Sequence, residues 1–169
     1  MSVCCRMDSP LGELLLLACP AGLTHVLLPG DARMAAWACV PEGELPALSA
    51  GRDWLVAYFA GKKAPLPPLA VEGSVFRRVV WQAVAGIPYG ETRTYGQLAA
   101  GMAGGRVCPR AVGRALGANP LCLLIPCHRV VAASGLGGFV AGVACKQWLL
   151  RHEQGTLPAS GKSALDEWG

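Results

Sequence analysis

Cys127 follows the rigid Pro126 and precedes His128 and Arg129, so one thiol stands beside a potential base and a fixed cation. The thiolate is the nucleophilic form of cysteine, and a neighbouring imidazole or cation raises its share at neutral pH. A Cys-His pair alone decides little, because adjacent side chains need not face each other and buried cysteines usually serve as inert core. The surroundings favour a nucleophile: an apolar, strand-like run over residues 121–125 delivers the thiol, and Arg110, Arg114 and Arg129 make the segment basic.

Eight cysteines would suit a disulfide framework in a secreted protein. No export signal is read, and Cys4 and Cys5 are adjacent, so reduced thiols and an intracellular setting are expected. No apolar run reaches the length of a membrane span, and no membrane partner is expected. An apolar fraction of 53% with 15% charged residues excludes a largely disordered chain. Charge is unevenly placed: residues 74–153 hold nine Lys/Arg against two Asp/Glu, whereas residues 1–73 hold five against seven. A basic half of this kind suits a polyanion, or simply a solvated arginine-rich surface.

The elements that must position the thiol are readable in outline. Three strands over residues 2–7, 13–19 and 23–28, joined by Asp8-Ser9-Pro10-Leu11-Gly12 and Pro20-Ala21-Gly22, predict an antiparallel meander. Asp31 should cap a short helix, and residues 50–60 read as an amphipathic helix closed by Gly61. The proline-rich segment 62–68 is the expected linker, which divides the chain into an α/β scaffold over 1–68, a second domain over 69–155 and a dispensable tail over 156–169.

In the second domain Ser74 should cap a helix with Val75, Val79, Val80, Trp81 and Val84 on its apolar face. Thr94 opens a short helix, Gly104-Gly105 turn the chain, and Pro109 opens another helix through Ala118, a pattern shared by helix-turn-helix units and by any helical hairpin. That last helix sets Val112, Ala115 and Leu116 against a face of Arg110, Gly113, Arg114 and Gly117. Glycine inside a helix costs about 1 kcal/mol relative to alanine, so two on one face suggest close approach of a nucleic-acid backbone, or a merely marginal helix. Residues 146–153 predict a final helix with Trp148 and Leu149 turned inward.

Ile125-Pro126-Cys127-His128-Arg129-Val130-Val131, with Arg110-Ala111-Val112-Gly113 and Asn119-Pro120 before it, resembles the methylated-DNA-protein-cysteine methyltransferases. Pro88-Tyr89-Gly90, Thr94-Tyr95-Gly96-Gln97-Leu98-Ala99 and Trp148-Leu149-Leu150-Arg151-His152-Glu153 match the same family, and the first strands are similar to its animal-type N-terminal half. The resemblance implies an α/β fold: a small three-stranded antiparallel sheet with helices, ribonuclease H-like, followed by a helical domain with a winged-helix-like helix-turn-helix. It also implies repair of O6-alkylguanine, and more weakly O4-alkylthymine, in double-stranded DNA by a monomeric protein, nuclear if eukaryotic and cytoplasmic if bacterial.

By that resemblance Cys127 accepts the alkyl group, His128 is its base through a water, Glu153 orients His128, and Tyr95 serves N3 of guanine. Arg110 fills the stack left by the flipped nucleotide, while Thr94, Tyr95, Ala111, Gly113, Arg114 and Arg129 meet DNA. Asn119 ties the recognition helix to the Cys127 segment. Val130, Val131, Phe139 and Val140 line the substrate pocket, with Phe139 standing where the family usually shows tyrosine. No cofactor is required for transfer, but animal-type members bind a structural zinc, for which Cys5 (or Cys4), Cys19 and His25 fall near the ligand positions and the expected fourth ligand, a histidine, is missing. A non-catalytic lesion-binding protein and an unrelated cysteine hydrolase are the alternative readings.

Overall fold

Four consecutive leucines, Leu14 to Leu17, read poorly as a strand with one wet face, yet all four are buried. In the computed structural model, which describes residues 1–102 and 106–157, both faces of their sheet are covered. Strands β1 (Val3–Ser9), β2 (Gly12–Cys19) and β3 (Gly22–Leu27) form an antiparallel sheet in the order β1-β2-β3. Cys4, Leu15, Leu17 and Leu27 pack with Met34, Trp37 and Val40 on one face. On the other lies helix α1 (Pro46–Phe59), where a Cβ at Gly51 would come within 2.8 Å of Leu23 and 3.4 Å of Leu16. The glycine there sets how closely helix and sheet approach.

Asp31 caps a 3-10 turn over Ala32–Trp37 by accepting the Arg33 N–H. Helix α1 begins four residues before the expected Ala50, because Pro46 occupies its first turn, where a missing N–H costs nothing. The proline-rich stretch ends in the sheet: Leu23 donates to the Pro68 carbonyl and Ala70 to that of Leu23. Proline is tolerated at such an edge. The compact units therefore divide between Glu72 and Gly73, four residues later than the expected boundary after Pro68.

The second unit contains α2 (Val75–Ala85), β4 (Arg93–Thr94), α3 (Tyr95–Ala100), α4 (Pro109–Gly117), β5 (Val130–Val131) and α5 (Val143–Gln154). Ser74 caps α2, but Val75 and Val79 are exposed at 71% and 44%, so only Val80, Trp81 and Val84 of the expected apolar face are buried. Trp81 fixes α2 to α4 by donating from Nε1 to the Ala115 carbonyl at 2.7 Å. Thr94 and Gln97 form a capping box at the start of α3, in which each side chain accepts the other's backbone N–H. The Gly104-Gly105 turn and residues 158–169 of the expected tail lie outside the described residues. Thr156, placed in that tail by the sequence, donates its N–H to the Arg151 carbonyl beside the left-handed Gly155, so it belongs to the cap of α5.

Candidate active site

Residues 121–125 are a buried turn and not the expected strand. Asn119, fully buried after α4, accepts the Leu121 N–H on Oδ1 and donates from Nδ2 to the Ile125 carbonyl, while the Ile125 N–H returns to the Leu121 carbonyl. One amide side chain thus satisfies backbone groups that a strand would have paired with a neighbour. Leu123 takes φ of 73°, a costly conformation for a non-glycine residue that this network holds. The same Asn119 Nδ2 lies 3.1 Å from the Cys127 sulfur.

Cys127 opens a 3-10 turn through Arg129 that runs directly into β5, and β5 pairs in parallel with β4, Arg93 opposite Val130 and Thr94 opposite Val131. Since Tyr95 follows β4 immediately, this short ladder sets tyrosine and thiol on one cavity. That cavity, about 320 Å³, is lined by Tyr95, Gly113, Leu116, Cys127, Phe139 and Val140 with flanking glycines. Val130 and Val131, expected in the pocket, are not among its walls: Val130 is fully buried in the ladder, and its carbonyl accepts from Lys146.

The thiol of Cys127 is drawn below its ordinary value. The largest cause is a hydrogen bond from the Cys122 side chain; Asn119 and the Lys146 ammonium add to it, and together they outweigh burial. Lys146 is a functional residue that the sequence reading missed. Its side chain is fully buried, Nζ donates to the Val130 carbonyl at 2.6 Å and the Gly138 carbonyl at 3.1 Å, and burial brings its pKa down to about 8. A signal existed, because Lys146 sits three and seven residues before Leu149 and Glu153, on the buried stripe of α5. Tyr95 is pushed above the usual tyrosine value by burial first and by Cys127 second, so its hydroxyl keeps its proton.

His128 and Glu153 are both buried, with Nε2 and Oε2 2.5 Å apart. Burial lowers the histidine's pKa more than Glu153 raises it, so the imidazole is neutral near pH 7. Nε2 then carries the proton that Glu153 accepts, and Nδ1 is left as the lone pair. Among the described residues Nδ1 is the buried side-chain polar atom without a hydrogen-bond partner. Arg129, expected on DNA, is instead only 8% exposed. It donates to Glu153 from Nε at 2.7 Å and from Nη2 at 3.1 Å, and to the Ile87 carbonyl from Nη1 at 2.8 Å. Its charge is consumed within the fold, and the Gly90 N–H adds a further hydrogen bond to Glu153 at 3.1 Å.

Helix α4 turns Val112, Ala115 and Leu116 inward and leaves Arg110, Arg114 and Gly117 exposed. Tyr95, Pro109, Arg110, Gly113 and Arg114 line an open groove beside the cavity. A Cβ at Gly113 would meet nothing nearer than 4.0 Å, and one at Gly117 nothing within 4 Å. Packing inside the protein does not require either glycine. Thr94, as the cap of α3, and Ala111 are half-buried and are not among the residues lining that groove.

Among the described residues the expected zinc ligands do not gather into one set. The register pairs Cys5 with Leu16 and Cys4 with Leu17, and Leu17 with His25, so Cys5 projects from the face opposite His25, while Cys4, the alternative ligand, shares the face of His25 but donates its thiol to the Val40 carbonyl at 3.4 Å. Cys5 lies with Arg52 and Glu44, whereas His25 packs on Trp37 at a centroid distance of 4.6 Å. Among the described residues no group of three His, Cys, Asp or Glu side chains is placed to hold an ion.

Two family models match the chain: the DNA binding domain of 6-O-methylguanine DNA methyltransferase over residues 75–155, and the ribonuclease-like domain of the same family over 3–72. The human methylated-DNA–protein-cysteine methyltransferase is 41% identical over 166 residues, covering 87% of this chain and 78% of the human one. The protein of that name from Methanosarcina barkeri is 40% identical, covering 89% and 96%. Among solved structures, Mycobacterium tuberculosis OGT in complex with DNA superposes with a TM-score of 0.80 at 38% identity, covering 91% of this chain and 94% of that one.

Proposed function

The chain belongs to the 6-O-methylguanine DNA methyltransferase family, and we propose that it repairs DNA by moving an alkyl group from O6 of guanine onto its own Cys127, once per molecule. The observation that carries the assignment of the acceptor is the cavity itself. One thiol, drawn toward its thiolate, stands with the protonated Tyr95 in a space whose mouth adjoins the Arg110 face of α4. Double-stranded DNA is the partner. The chain acts as a monomer inside the cell, and transfer requires no cofactor.

In this reading the target nucleotide is rotated out of the duplex, and Cys127 attacks the alkyl carbon in line with the departing guanine O6. The C–S bond forms as the C–O bond breaks, and the electron pair passes into the base. Guanine is a poor leaving group as an anion, so the Tyr95 hydroxyl donates a proton at N3 as the charge develops. His128 takes the thiol proton through an intervening water, and Glu153 holds the resulting imidazolium. The thioether cannot be hydrolysed by this machinery, so the protein is consumed. Transfer from a labelled oligonucleotide must stop near one equivalent, and repeated turnover would replace this reading with that of a cysteine hydrolase.

Arg110 is the residue proposed to fill the vacated stack. Arg110→Ala should therefore slow repair of a duplex on the order of 30–100-fold, the equivalent of about 2–3 kcal/mol of unrepaid unstacking, yet barely change reaction with free O6-benzylguanine. Equal losses on both substrates would make Arg110 a pocket or structural residue.

The exposed Arg77, Arg106 and Arg114 are proposed phosphate contacts. Each neutralised phosphate contributes roughly 0.9 to the slope of log affinity against log salt. Replacing all three by glutamine should flatten that slope by about 2–3, measured by fluorescence anisotropy of a labelled duplex. An unchanged slope would place the DNA footprint elsewhere.

A further inference from the structure

Cys122 forms no bond to substrate in the transfer described above and acts there only by drawing the acceptor thiol below its ordinary value, yet it sits beside the acceptor. Both residues are buried and stand at the two ends of one turn: Cys122 bridges to Ile125, and Asn119 Nδ2 binds both the Ile125 carbonyl and the Cys127 sulfur. The two cysteines are thus five residues apart on one buried turn, with Asn119 tying the Ile125 carbonyl, opposite Cys122, to the Cys127 sulfur. Cys127 alone of the two lines the cavity, so a small solute reaches it first. Cys145, on α5, feels the charge of Cys127, but burial pushes its thiol up to about 12, which leaves it a poor nucleophile.

We propose that Cys122 is a resolving thiol for the acceptor: when a hydroperoxide oxidises Cys127, Cys122 captures it as an intramolecular Cys122–Cys127 disulfide that reductants reopen. The inference rests on Cys127 being the reactive thiol of the proposed function. In the first step the Cys127 thiolate attacks the terminal peroxide oxygen. An S–O bond forms, the O–O bond breaks, sulfur is oxidised to the sulfenic acid and the peroxide leaves as alcohol, or as water for hydrogen peroxide. In the second step the Cys122 sulfur attacks the Cys127 sulfur. The S–S bond forms, the S–O bond breaks, and the departing hydroxide takes the Cys122 proton as water. Two thiols and one peroxide thus give one disulfide, one alcohol and one water. Without a partner in contact, the sulfenic acid proceeds to the sulfinic acid, which cellular thiols do not reverse. For a protein that uses its acceptor once, the disulfide preserves a thiol that oxidation would otherwise remove permanently.

The two cysteines lie between Arg114 and Arg129, so one tryptic peptide, residues 115–129, contains both. The full-length protein is treated with a several-fold excess of hydrogen peroxide until transfer activity is lost, the peroxide is removed with catalase, and the sample is divided and one half reduced with dithiothreitol. Each sample is assayed for transfer relative to its own untreated control, and the peptide is weighed without prior reduction. Wild type should lose at least nine-tenths of its transfer, regain nearly all of it on reduction, and yield a peptide lighter by two hydrogens. Cys122→Ser should lose transfer to the same extent and regain less than a fifth, its peptide carrying two added oxygens on Cys127. A wild-type peptide with Cys127 as sulfinic acid and Cys122 free, or a link to Cys145 instead, overturns the proposal, as does full recovery in Cys122→Ser. Should Cys122→Ser not fold, the wild-type peptide mass still decides. Failure of the untreated protein to accept an alkyl group would count against the proposed function alone, because the peptide mass reports the disulfide independently.

Discussion

Replacing Cys127 by alanine is expected to abolish alkyl transfer while leaving affinity for alkylated duplex DNA within about twofold. The first half follows because no other sulfur can take over. Cys122 is fully buried and behind the acceptor, and Cys145 has its thiol pushed up to about 12, so almost none of it is thiolate near neutrality. The second half follows because binding is assigned to the arginines of α4 and to phosphate contacts, none of which touches the sulfur. The substitution removes one atom at the cavity wall, and Asn119 keeps its bonds to Leu121 and Ile125, so the turn should survive. Incubation with an oligonucleotide carrying a labelled methyl group measures the transfer, and gel shift with the same duplex measures binding. Residual transfer to the variant would place the acceptor elsewhere; loss of binding together with transfer would mean that the turn had collapsed.

How far such a site can be read without coordinates depends on whether a residue's role is local. The caps at Asp31, Ser74 and Thr94 were legible because each serves backbone groups two or three residues away. Cys127, His128 and Tyr95 were legible as motif residues. Residues 121–125 were misread because a short apolar run looks alike in a strand and in a buried turn, and the group that decides between them is the side chain of Asn119. Arg129 was misread for a related reason. An arginine in a basic segment suggests DNA, but burial depends on Glu153, 24 residues further on. Lys146 and Cys122 escaped notice because their partners are a carbonyl of β5 and the acceptor sulfur, which only the folded turn brings near.

That burial of Arg129 changes what Glu153 should be expected to do. Read as a partner of His128 alone, it would be replaceable by glutamine at a cost in rate only. In the fold it also accepts two hydrogen bonds from Arg129 and one from Gly90, so its charge balances a buried guanidinium as well as orienting the imidazole. Glu153→Gln should accordingly have two separable consequences. Losing the carboxylate removes the influence that raises the basicity of His128, leaving burial to depress it further, so the imidazole takes the thiol proton less readily. The single-turnover rate should fall by roughly 100-fold or more, the ordinary size of a general-base effect. Leaving Arg129 buried without its counter-charge should also destabilise the fold by about 3–5 kcal/mol. Arg129→Met separates the two. It too removes one half of the buried pair and should lower the melting temperature, yet it keeps Glu153 on His128, and without the neighbouring cation, which lowers the histidine's pKa, the imidazole is more basic. Rates measured well below both melting temperatures should therefore show Glu153→Gln slow and Arg129→Met within about tenfold of wild type. If the two variants lose rate in parallel, Glu153 acts through stability alone and leaves the set of residues that govern transfer.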